Sequence, residues 1–157
     1  MHSLTTAESR RLLLHRTAAL RPDTPARWGS FTSPRMLAHL IQSLRMTCGE
    51  LPIPPEAAPW VLRHAPLKHL LIYVLPFPKG MPTFPELLSR PVMESGEISA
   101  AAWAEELKVF AEALEAVGAM DPHGKWPDHG AFGPLTGREW GVLQYRHLDH
   151  HLRQFGC

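Results

Sequence analysis

Helical periodicity recurs in five segments of this chain, and no stretch alternates apolar with polar residues as a half-buried strand does. That pattern confines the chain to an all-α fold. The first segment runs from about Ala7 to Leu20, opened by Thr5 with Glu8 three residues on, a reciprocal cap for two orphan amides, and Pro22 and Pro25 end it. Ser33-Pro34 starts a second, because proline in the first helical turn loses no hydrogen bond, and Gly49 stops it. Prolines 52, 54, 55, 59 and 66 exclude a helix interior from Leu51 to Pro66, and a short apolar helix, Leu67 to Val74, follows. Pro76 to Pro91 reads as a long structured loop whose Phe77, Met81 and Phe84 roof a cavity. Ser99 to Val117 is an amphipathic helix stopped by Gly118, and Thr136 with Glu139 caps a last helix that Gly156 terminates.

Four longer helices plus one short one describe a four-helix bundle with long connecting loops. Such loops favour crossovers over tight hairpins. The 157 residues fit a single domain, 1–157, and 45% apolar with 20% charged residues is an ordinary soluble, globular composition. A formal charge of +1 with no basic block removes nucleic acid as a partner. The longest apolar run, Leu70 to Leu75, is too short to span a bilayer, and Glu8 with Arg10-Arg11 breaks the layout of a secretory leader. A cytoplasmic protein is expected. Cys48 and Cys157 lack CxxC spacing, so neither a disulfide framework nor a cysteine zinc site is indicated.

Metal, if bound, is then bound by histidine. Three of the ten histidines, His147, His150 and His151, crowd into the last helix. At about 100° per residue, His147, His151, Gln144 and Phe155 fall within about 60° of Trp140, on the core face, while Asp149 lies opposite, in solvent. His147 and His151, four apart, can point into one space and share a metal ion. The plainer reading is two hydrogen-bonded core histidines. The protease pattern H-E-x-x-H has the same spacing, but its glutamate position is Leu148 here, so that chemistry fails. His150, at the edge of the face, is a neighbour of the ligands or a surface residue, and Gln154 could hydrogen-bond one of the ligand rings.

A third ligand must come from His15, His39, His64, His69, His123 or His129. His39 stands out because a well-capped helix holds a ligand to better precision than a loop. Yet the apolar face of its helix centres on Leu37, Leu40, Leu44 and Cys48, and His39 lies off it, beside Met36, Ser43 and Met46. It faces either solvent or a second neighbour. His123 and His129 are ordinary loop histidines or residues that complete the site.

Taken together, Trp28 with Phe31-Thr-Ser-Pro-Arg-Met-Leu-Ala-His39-Leu, Pro76-Phe-Pro-Lys-Gly-Met-Pro-Thr, Phe132-Gly-Pro-Leu-Thr-Gly-Arg-Glu-Trp140 and His147-Leu-Asp-His-His-Leu-Arg-Gln-Phe resemble an uncharacterised subfamily of the DinB/YfiT-like superfamily. The resemblance spans nearly the whole chain. It implies a four-helix bundle, commonly a homodimer, with a divalent metal, zinc or nickel and less often iron, on His39, His147 and His151. Related members include thiol-dependent transferases and an isomerase using a low-molecular-weight thiol. The resemblance therefore implies a metal-dependent enzyme of small-molecule or thiol metabolism, a transferase or hydrolase. The competing reading is a non-catalytic binding or dimerisation module with a structural or vestigial metal site. Where relatives carry His-Pro before an aromatic-Phe-Gly stretch, this chain has His129-Gly-Ala-Phe132-Gly133, which leaves the role of His129 open.

Overall fold

The computed structural model describes residues 1–54, 58–77, 79, 83–92 and 97–157. The described residues form five α-helices: α1 (Ala7–Thr17), α2 (Ser33–Thr47), α3 (Leu67–Tyr73), α4 (Ala100–Ala119) and α5 (Gly137–Gln154). Short 3-10 turns at Trp60–Arg63 and Pro85–Leu88 punctuate the proline-rich middle. The fold is all-α: among the described residues the sole extended pairing is an isolated bridge between His129 and Gly133. No described helix is long and apolar enough to cross a membrane.

Local chemistry accounts for most helix ends. The Thr136 side chain accepts from the Glu139 amide while the Glu139 carboxylate accepts from the Thr136 amide, the reciprocal cap expected for α5. Ser99 caps α4 by accepting from the Ala102 amide. Gly49 and Gly156, at φ of 81° and 80°, take the left-handed step that ends α2 and α5. Three expectations shift. The residue capping α2 is Thr32, one before Ser33, and it accepts from the Arg35 amide. At α1 the N-cap position is Thr6, not Thr5; its hydroxyl bonds the Ser3 carbonyl and Ser9 Oγ instead of a helix amide, so the expected reciprocal cap does not form, and the helix closes at Thr17 rather than Leu20. Gly118 does not stop α4, which continues to Ala119; a Cβ there would lie 2.3 Å from the Arg10 guanidinium, which crosses α4 to reach Glu115 and the Leu4 carbonyl.

The helices pack in a ring, α1 on α4, α4 on α2, α2 on α5 and α5 on α1, so helices adjacent in sequence are not the main partners. Long connections make that order necessary. Trp103, Phe110, Leu114 and Val117 form the buried stripe of α4 against Leu37, Leu40, Ile41 and Leu44 of α2, all fully or nearly fully buried. Each such side chain contributes roughly 1.5–3 kcal/mol of burial. Indole donors pin the loops: Trp103 Nε1 to the Leu20 carbonyl, Trp126 Nε1 to Asp121 and Trp140 Nε1 to Pro127. The short α3 is tied to α5 by Arg146, whose guanidinium donates to the carbonyls of Leu71, Ile72 and Leu75 at the end of α3.

One consequence of the ring bears on the site. Helix α2 is buried on nearly all sides, with Arg35 half-buried and Arg45 its one exposed residue, since α4 covers one face while α5 and the Pro85–Leu88 turn cover the other. His39 therefore meets a second neighbour, not solvent, and is 3% exposed.

Candidate metal centre

Three rings converge where α2 and α5 face each other. His39 Nε2 and His147 Nε2 lie 3.0 Å apart, and one ligand nitrogen from each of His39, His147 and His151 falls within 4.8 Å of the others. Ring centroids stand 5.0 Å apart for His39–His147 and 4.9 Å for each pairing with His151, at interplanar angles of 72° to 89°. Steeply tilted rings turn nitrogen edges, not faces, towards a common point. Two imidazole nitrogens about 2.0–2.1 Å from one ion at a tetrahedral angle sit about 3.4 Å apart, so the His39–His147 pair is close to that spacing and the His151 nitrogen lies near enough to join it.

Hydrogen bonds fix which nitrogen each α5 ring offers. Gln144 Nε2 donates to the Ser43 carbonyl, which turns its Oε1 to accept from Ser43 Oγ at 2.9 Å. With its proton committed, Ser43 Oγ accepts at 3.0 Å from His147 Nδ1–H. His147 Nε2 is left with its lone pair. The same logic holds one turn later, where Gln154 Nε2 donates to the Trp28 carbonyl and its Oε1 accepts at 2.9 Å from His151 Nδ1–H. His39 differs, because its Nδ1 is buried without a well-formed hydrogen bond. A proton on that atom would face the Leu87 carbonyl, whose influence on the ring opposes that of burial.

Burial keeps these rings uncharged. It is the largest cause in every case, taking His39 to about 3 and His151 to about 4 and pushing His147 well below the usual histidine range, with the neighbouring imidazoles adding to the effect on His39 and His147. Neutral imidazole is the ligating form.

The cluster forms part of the wall of a cavity of about 580 Å³. Phe31 lies 5.4 Å from the His39 ring and 5.8 Å from His151, and Phe77 lies 5.9 Å from His147. Phe84 and Leu87 also line it, as does Trp28, whose face carries Lys79 Nζ at 4.4 Å. Phe77 and Phe84 thus flank the space assigned to the proline-rich loop, while Met81 lies outside the described residues. No Asp, Glu, Lys or Arg is among the described lining residues.

Of the other candidates, His150 lines the cavity beside Trp28 and Phe77 but makes no hydrogen bond to the ligand rings among the described residues. His129 lines it from the 120–136 connection. His123 is exposed and outside the cavity lining, so the structure does not bring it to the site. His69 is engaged elsewhere, 3.0 Å from Glu139. Leu148 is wholly buried, and Asp149 is held by Arg16 at 2.7 Å and by Arg153 rather than standing free in solvent. The roles of Ser43 and Gln144 escaped the sequence reading. Their positions four after His39 and three before His147 put them on the same helix faces, which was the available signal.

Fold and site together define an all-α protein carrying a three-histidine group able to hold a metal ion. The chain belongs to the family described as "Protein of unknown function (DUF1569)", whose model matches residues 8–156. No curated protein and no solved structure matches it.

Proposed function

We propose that this chain is a metal-dependent enzyme acting on small molecules, a transferase or hydrolase of the DinB-like four-helix-bundle kind, with zinc or nickel on His39, His147 and His151. One observation carries the reading: three neutral imidazoles converge at the wall of a largely apolar cavity, two of them with Nε2 lone pairs freed by Ser43 and Gln154. A structural metal needs no cavity beside it, whereas a catalytic one keeps a position open towards substrate. The ring of α1, α4, α2 and α5 favours the bundle assignment. The donor set of imidazoles suits zinc, nickel or iron.

Within the site the chain's own residues divide the work. Ser43, Gln144 and Gln154 hold the rings in one orientation and one tautomer. Trp28, Phe31, Phe77 and Phe84 present apolar surface to the cavity and lower the local dielectric. A bound divalent ion would supply Lewis acidity towards a carbonyl oxygen or stabilise a thiolate, such as that of a low-molecular-weight thiol. No carboxylate lines the cavity among the described residues, which disfavours hydrolysis by a carboxylate base and favours transfer chemistry in which the nucleophile comes with the substrate. The resemblance further supports a homodimer, and light scattering of the purified protein tests the dimer directly.

The alternative, a non-catalytic docking module, draws on the exposed Trp60, Val61, Val74 and Leu75 around α3. Metal analysis separates the two. One ion per chain is expected in the native protein and none in His147→Ala, with helical circular dichroism retained. Stoichiometric metal in that variant would reject the assignment, and inactivity of the loaded protein across a panel of thiols and electrophiles would favour the docking module.

A further inference from the structure

Outside the three ligand rings, one buried titratable group in the cavity wall has no part in the proposed chemistry. His129 is 8% exposed, packed against Trp140 and Phe132 with ring centroids at 5.0 and 4.9 Å. Its backbone amide and carbonyl pair with those of Gly133, both at 2.8 Å, closing a tight loop. Inside that loop the amides of Ala131 and Phe132 both donate to its Nδ1, at 2.9 and 3.3 Å. A nitrogen that accepts two N–H groups carries no proton, so in the neutral ring the proton sits on Nε2. Burial takes the ring to about 4, which keeps it neutral at physiological pH. Nε2–H finds no partner among the described residues, although the ring lines the cavity. A protonated Nε2 and a doubly occupied Nδ1 cannot ligate a metal. They can donate one fixed hydrogen bond.

We propose that His129 is a substrate-binding residue, donating its Nε2–H to an uncharged oxygen or sulfur acceptor on a small molecule whose apolar, ring-sized body fills the cavity. The acceptor class follows from the lining. Aromatic and aliphatic side chains supply most of the wall, and the described lining residues include no Lys or Arg to neutralise an anion and no acid to hold a cation. A ligand that covers the ring without an acceptor would strip water from this donor and leave it unpaired at a cost, so a ligand that accepts its proton is selected over one that does not. The assignment rests on the cavity being the ligand site proposed above. It does not depend on which metal is bound.

Two substitutions separate binding from loop support. In His129→Asn the side-chain oxygen takes the place of Nδ1 and accepts the same two amides, while its nitrogen falls short of the Nε2 position. In His129→Gln the amide nitrogen reaches the Nε2 position and the loop clamp is lost. The probe is benzamide, an uncharged apolar ring with a carbonyl acceptor, titrated by calorimetry into metal-loaded protein whose metal content has been measured. Affinity about tenfold weaker in His129→Asn, with unchanged metal content and fold, and close to wild type in His129→Gln is expected. Equal affinity for wild type and His129→Asn, or no binding of the probe to wild type, overturns the proposal. A wild-type chain that takes up no metal rejects the metal assignment alone; the titrations are then made on the metal-free cavity, where the same differences in affinity support or overturn the role of His129. Ring nitrogen NMR supplies a readout independent of both: the Nε2–H tautomer is expected for His129, and an Nδ1–H tautomer overturns the proposal.

Discussion

Ser43→Ala removes one oxygen atom that two other groups depend on. In the native protein Ser43 Oγ, on a residue 1% exposed, donates to Gln144 Oε1 and accepts from His147 Nδ1–H. Deleting it leaves a buried amide oxygen and a buried imidazole N–H without partners. An unsatisfied buried group costs about 1–3 kcal/mol, so the metal-free variant with two of them should lose about 2–6 kcal/mol of stability, less whatever a water entering the vacated space restores. Metal affinity should fall for a separate reason. Without its acceptor the His147 ring is free to reprotonate on Nε2, where its lone pair is needed, and loss of such a supporting bond typically weakens metal binding about 10–100-fold. Competition with a chromophoric chelator measures the affinity, and denaturant titration of metal-free protein measures the stability. Unchanged affinity in a variant shown to be destabilised would refute the reasoning, because it would mean that Ser43 supports α2 and α5 without orienting the ring.

The same physics reaches other positions. Chelation should lower the melting temperature, since an ion at 100 times its dissociation constant adds about 2.7 kcal/mol to the folded state, and an unchanged melting curve after verified metal loss would count against the site. Gly29→Ala forces a side chain onto φ of 76° and places Cβ 2.7 Å from Gln154 Nε2, so it should cost roughly 1–2 kcal/mol and weaken metal binding through His151; intact affinity would show that Gln154 does not matter to the ring. His129 has its pKa lowered by burial from 6.5 to about 4, so the unfolded chain binds the extra proton first and stability is lost as pH falls through that window, by roughly 3 kcal/mol at its lower end. The acid-side slope of stability should therefore shrink in His129→Asn, and an identical slope would refute the assignment of that proton.

Features set by near neighbours in sequence were legible from it. The Thr136–Glu139 cap and the Gly49 and Gly156 stops depend on a few consecutive residues and formed as expected. Errors arose where a distant group intervened. The Thr5–Glu8 cap did not form at α1, where Thr6 holds the N-cap position and spends its hydroxyl on Ser3 and Ser9, and Gly118 proved to be a passage for Arg10 from another helix. His39 shows the limit most clearly. A helical wheel assumes one buried face, and α2 has two, since α4 takes Leu37, Leu40, Ile41 and Leu44 while α5 and the Leu87 turn enclose the opposite side. The H-x-x-x-H spacing could place His147 and His151 together, but nothing local to either helix says that Ser43 and Gln144 would meet between them.

That double-sided burial also bears on what the site is for. A core that needed only packing would fill the α2–α5 seam with leucine, as the α2–α4 seam is filled. Instead the seam holds three imidazoles, Ser43, Gln144 and Gln154, each polar, each partly or wholly buried, and each requiring a partner in a fixed orientation. Polar groups in such a position contribute little net stability even when satisfied and cost heavily when not. His39 Nδ1 is in fact left without a well-formed bond. Such a concentration of polar side chains in one seam, opening on one cavity, supports the proposal that the region is shaped by a ligand as well as by folding. In that division of labour the α4 face of α2 holds the helix rigid, and the α5 face uses the rigidity to keep His39 in register with the two rings of α5.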